Sequence, residues 1–143
     1  MQQPMLTLLL WPAIVAGALA CTSSPAVGPG DAGSGETATP CVVATSCEDG
    51  GGFESAGVCT PCASAPSYKT EIAPILNNAC VICHGPDGTA GQDENTYADV
   101  QERFASMLSF VNSCMMPPLN GPQLTDAQRV ALTAWMRCGA PDN

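Results

Sequence analysis

The residues with the most chemical potential in this chain are Cys80-Val81-Ile82-Cys83-His84. Two thiols three positions apart at the end of a helix reach both vinyl groups of one porphyrin and form thioethers. The imidazole that follows at once then comes up beneath the iron as an axial ligand. Cys-x-x-Cys-His is therefore the attachment signature of a single covalent haem c. His84 is the only histidine in the chain, so no other imidazole competes for the role. A lone histidine is ordinarily a satisfied surface or core residue; its place directly after a cysteine pair reverses that expectation here.

A six-coordinate iron needs a second, soft donor, and Cys114-Met115-Met116-Pro117-Pro118 offers one. A methionine thioether favours reduced iron and raises the potential. Pro117 restricts Met116 to extended geometry, which suits a loop that aims one sulfur at a metal. Met115 alternates to the other side of such a segment. Met116 is the expected ligand, with Met115 or no protein ligand as alternatives, and core filling is the ordinary role of both.

Two rival chemistries use the same cysteines. Cys59-Thr60-Pro61-Cys62 and Cys80-Val81-Ile82-Cys83 stand 17 residues apart, as in a four-cysteine zinc ribbon. Against zinc, an amphipathic helix rather than a hairpin knuckle enters the second pair, and exported thiols oxidise. Cys59-x-x-Cys62 could also be a redox dithiol, but such motifs open a helix in a βαβ setting, and here turns surround it. A third alternative keeps the haem with an open iron position, as in a sensor or peroxidase. No second histidine is present to activate peroxide.

The elements that must position the haem motif are helical. Ile72, Ile75, Leu76 and Ala79 follow the i, i+3, i+4, i+7 pattern, with Pro74 tolerable only in the first turn. Tyr97, Val100, Phe104, Met107, Leu108 and Val111 form a second apolar stripe. A third helix opens at Thr125, with Gln128 completing a capping box, presents Val130, Ala131, Ala134 and Trp135, and stops at Gly139. Gly- and Pro-rich loops separate them.

Upstream, the composition changes twice. Residues 41–66 hold Cys41, Cys47, Cys59 and Cys62 around turn-rich Glu48-Asp49-Gly50-Gly51-Gly52, with little apolar content. Two disulfides within this segment are the natural expectation, in any of three pairings. Residues 21–40 are mostly Ser, Thr, Pro, Gly and Ala, the composition of a flexible tether with an r.m.s. reach of ~24 Å. Residues 1–20 carry an apolar run from Met5 that ends in Ala18-Leu19-Ala20 before Cys21, the pattern of an export signal. The cysteine after the cut resembles a bacterial lipobox, which implies a lipidated Cys21, a membrane anchor and a periplasmic or outer-membrane location. An uncleaved anchor helix is the alternative, although the run is short for a full span.

Composition bounds the rest. Aromatic residues make up 5%, against 14 Gly and 13 Pro, so a prosthetic group, a metal or disulfides must supplement the core. Nine cysteines in 143 residues suit an oxidising compartment. The formal charge of −9 argues against nucleic acid as a partner, whereas a basic-surfaced redox protein is compatible with it.

Pro74-Ile75-Leu76, Cys80-x-x-Cys83-His84-Gly85, Met116-Pro117-Pro118, Leu124-Thr125 and Ala134-Trp135-Met136 to Gly139-Ala140-Pro141 resemble class I cytochrome c domains, especially the short ones of environmental bacteria. The resemblance covers residues 67–143. It implies an all-α fold of about three helices around the haem, N- and C-terminal helices packed across each other, and Trp135 buried near the haem. It also implies electron transfer without catalysis. The gap between haem and methionine motifs is shorter than in the family, and Cys114 and Cys138 are additional. These two invite a disulfide closing a ~25-residue loop, a stabilisation of about 3–4 kcal/mol in the chain-entropy model. Lipidation of one cysteine, haem attachment of two and three disulfides would account for all nine.

Overall fold

The computed structural model describes residues 41–94 and 96–143; the expected signal segment, tether and lipidated Cys21 lie outside them. Among the described residues three short antiparallel strands come first: β1 (Thr45–Ser46), β2 (Gly52–Ser55) and β3 (Val58–Pro61), in that order across the sheet. Phe53 pairs with both Ser46 and Thr60. The β2–β3 turn needs positive φ at both central residues, and Ala56 and Gly57 adopt 51° and 78°. Gly52 sits where a side chain would run into the Thr60 carbonyl oxygen, so the strands close only around a glycine there.

Four helices follow: α1 (Ala73–Ala79), α2 (Val81–His84), α3 (Tyr97–Asn112) and α4 (Asp126–Arg137). A single wide turn at Tyr68–Ile72 leads into α1, and Pro74 occupies its first turn, where the missing N–H costs nothing. Thr96 with Asp99 and Thr125 with Gln128 close capping boxes on α3 and α4. Gly139, at φ 81°, follows the end of α4.

The fold corrects the expectation of an all-α molecule of about three helices wrapped around a haem. The chain is mixed, with a three-stranded sheet packed against α4. Its helices also have an apolar core of their own: Ile72, Leu76, Val100, Leu132, Trp135 and Met136 are all but inaccessible. α4 is covered on both sides, by α3 and the Tyr68–Ile72 turn on one and the sheet on the other. On the sheet side Ala44, Phe53 and Ala134 form a second small cluster. There the buried Thr133 hydroxyl accepts the Ala44 amide at 2.9 Å and Arg137 Nε donates to the Ala44 carbonyl at 2.7 Å.

The disulfide pairing is also corrected. Cys41, Cys47, Cys59, Cys62, Cys114 and Cys138 all form disulfides, but only Cys47–Cys59 lies within the N-terminal segment. Cys41 bonds Cys114 and Cys62 bonds Cys138, so no Cys114–Cys138 bridge forms. The strand segment is too small to crosslink itself into a stable unit; its outer cysteines reach instead to the layer on which it packs.

Candidate functional site

Cys80 stands at the junction of α1 and α2. Its amide donates to Leu76 at 2.8 Å, and its carbonyl accepts from His84 at 2.9 Å, so helical bonding continues through the junction. Cys80, Cys83 and His84 therefore ride on one turn. Among the described residues Cys80 is the free thiol. It packs on the same core as Trp135, and burial, reinforced by the Glu94 carboxylate, pushes its pKa up to about 12. Its sulfur is thus a neutral S–H throughout the physiological range. Cys83 is buried, and its sulfur is engaged in a disulfide in this structure.

The chain after His84 folds straight back over this turn. Ala90 donates to the Cys83 carbonyl at 3.0 Å and Glu94 to the His84 carbonyl at 2.6 Å. Gly88 passes so close to the Cys83 carbonyl that a side chain there would collide with it. The return brings Glu94, 7% exposed, beside the imidazole. Glu94 Oε1 lies 3.9 Å from His84 Nδ1, and Nδ1 has no hydrogen-bond partner although it is buried. Burial raises the Glu94 pKa; His84 and Arg103 act in the opposite direction. Nothing in the sequence singled out Glu94 or Arg103, because neither belongs to a motif and the burial of an isolated charge leaves no periodic signal.

Met115 and Met116 do not fill the core: they are 56% and 36% exposed. Both amides donate to the Phe110 carbonyl, at 3.0 and 3.2 Å. The Met116 carbonyl accepts from Arg129 Nη1 at 2.8 Å, and the same guanidinium nitrogen donates to Val111 at 3.2 Å. Arg129, buried on α4, therefore clamps the end of α3 to the methionine loop. Glu94, beside His84, precedes α3, whereas Met116 follows its other end, and 16 helical residues rise ~24 Å. The hydrogen bonds that hold Met116 do not run to the Cys80–His84 turn.

Trp135 is fully buried, stacked on Tyr68 at 5.6 Å, with its indole N–H donated to Pro141 at 2.9 Å. Cys59 and Cys62 bond to different partners, so they form neither a dithiol with each other nor half of a zinc ribbon. Cys47, Asp49 and Cys59 lie within 4.8 Å of one another, but the first and last share a disulfide and offer no thiolate. No helix of the described residues is long and apolar enough to cross a membrane.

No family model matches the chain, and neither does any curated protein or solved structure.

Proposed function

We propose that this chain is an extracytoplasmic carrier of single electrons, holding one haem c through Cys80, Cys83 and His84. The observation that carries this reading is the turn itself: Cys80, the free thiol among the described residues, rides with Cys83 and His84 on one helical turn. Structural cysteines of exported chains find disulfides, and Cys80 has none. Cys80 and His84 fit the group on this side, and Cys83 fits it once its disulfide is open. Bound haem supplies an iron that alternates between ferric and ferrous states.

The roles of the chain's own residues follow. Cys80 would hold one vinyl group through a thioether, by addition of its neutral S–H. Cys83 would hold the other vinyl only after a thiol reductant had opened its disulfide, because disulfide and thioether are alternative fates of one sulfur. His84 would hold the iron through Nε2. Met116 is proposed as the second axial ligand on the strength of its accessible thioether and the Arg129 clamp on its carbonyl.

The position of Met116 beyond the far end of α3 favours one second reading, an open sixth coordination site serving a sensor or peroxidase-like role. Carbon monoxide separates the two: a His/Met carrier resists it in the ferrous state, and an open site binds it at once. Met116→Ala should lower the potential and admit carbon monoxide; an unchanged potential would refute the ligand role.

The resemblance to class I cytochromes c supports the cofactor and electron transfer without catalysis, and it is not extended to the mixed architecture. Three disulfides suit an oxidising compartment. The charge of −9 suits a basic-surfaced redox protein as partner, and a lipidated Cys21 would keep the module at a membrane. Production with a c-type haem maturation system tests the whole reading. A Soret band, sharp reduced-state bands and haem stain that survives denaturation are expected. A colourless protein would sink the proposal, and bound zinc would revive its rival.

A further inference from the structure

Glu94 has no part in haem attachment, yet the fold spends ten residues of returning chain to bring it to His84. Its backbone N–H donates to the His84 carbonyl at 2.6 Å, which fixes the two residues side by side. Its carboxylate is buried, and Oε1 stands 3.9 Å from Nδ1, the ring nitrogen that has no other partner. That distance is too long for a hydrogen bond, so the bond requires the carboxylate to turn toward the ring. Arg103 also acts on this carboxylate in favour of its charged form, and its Nη1 is likewise buried without a hydrogen bond.

We propose that Glu94 is a positioning residue: its carboxylate accepts the Nδ1–H of His84, fixes that tautomer and leaves Nε2 as the lone-pair nitrogen offered to a metal. The bond made by one ring nitrogen decides what the other does, and carboxylate acceptors also raise the basicity of the ligand. The tautomer claim stands on the chain alone; the effect on iron rests on the haem reading above. A more basic His84 favours ferric iron, so Glu94 holds the potential down.

Because His84 is the only histidine, its two ring nitrogens are read without assignment ambiguity in uniformly 15N-labelled protein. The first measurement uses protein made without haem, at about pH 8.5, where an ordinary imidazole is neutral. Wild type should show the Nδ1–H tautomer, and Glu94→Ala should shift the ring toward Nε2–H, with the near-isosteric Glu94→Gln between them. Gln preserves shape if Ala proves unstable. The second measurement is the potential of haem-loaded wild type and Glu94→Gln. A change of about tenfold in the ferric preference is expected, upward by ~59 mV for one electron. A tautomer indifferent to both substitutions overturns the contact. A tautomer that responds while the potential stays fixed overturns the tuning role. Wild type that takes up no haem defeats the electron-transfer reading, and the haem-free spectra still decide the contact.

Discussion

Replacing Arg129 with Met keeps most of the apolar stem and removes the buried guanidinium that ties α4 to the end of α3 and to the methionine loop. Two hydrogen bonds are lost, to Val111 at 3.2 Å and to Met116 at 2.8 Å. Hydrogen bonds from a charged donor contribute ~1.5–3 kcal/mol each. The full sum is not expected, because the Val111 carbonyl keeps the Cys114 amide at 3.2 Å and the Met116 carbonyl regains water as its half-exposed loop loosens. A loss of about 2–4 kcal/mol remains. In urea, with disulfides intact and a slope of ~2 kcal/mol/M, the unfolding midpoint should fall by about 1–2 M. Arg129→Lys, one point charge in place of a fork, should keep one of the bonds and lose roughly half as much. A midpoint for Arg129→Met within about 0.3 M of wild type would show that the clamp contributes little, and would remove the support it lends to an ordered Met116.

Thr133→Val leaves the Ala44 amide without its acceptor beneath the sheet and should cost about 1–3 kcal/mol, with faster hydrogen exchange at that amide as the local readout. Unaltered exchange would mean that the amide finds another partner. Cys80, neutral and only partly exposed, should resist alkylation at pH 8 in haem-free protein and react fully after denaturation; rapid stoichiometric labelling of the native protein contradicts the site described. Burial, with the Asp142, Tyr97 and Asp99 charges after it, raises the Tyr68 pKa. The folded chain therefore holds that proton longer than the unfolded one, and stability should fall as pH rises from the ordinary tyrosine value of about 10 through the raised one. Tyr68→Phe should flatten that limb of the profile, and an identical slope would assign it to other groups.

The helical stripes and the Thr125 capping box were legible because they are local: a period of 3.6 and a four-residue signature survive without knowledge of the rest of the chain. Met107 and Val111 bury just as the α3 stripe requires. The sheet was not legible for the opposite reason. Its strands are two to four residues long, its tight turn is Ala56-Gly57 rather than Asn-Gly or Asp-Gly, and alternation has no room to develop. Missing the sheet concealed why α4 is apolar on more than one side: Thr133 and Ala134 face strands, whereas Leu132 and Trp135 face helices. At the site, Cys-x-x-Cys-His is visible as a string, whereas Glu94, Arg103 and Arg129 are not. Each is a single charge whose role arises only when distant backbone returns to meet it.

The crossed disulfides set a problem of timing for the cell. A chain that emerges from its N-terminus presents Cys41, Cys47, Cys59 and Cys62 to an oxidant long before Cys114 and Cys138 appear, and Cys80 and Cys83 come in between. The bonds of Cys41 and Cys62 span 73 and 76 residues, so their partners arrive long after them. Early oxidation therefore favours wrong neighbours, some of them the thiols that a haem would claim. The mature pairing depends on delayed oxidation or on an isomerase that reshuffles first-formed bonds, and the order of those events decides whether Cys80 and Cys83 remain available at all.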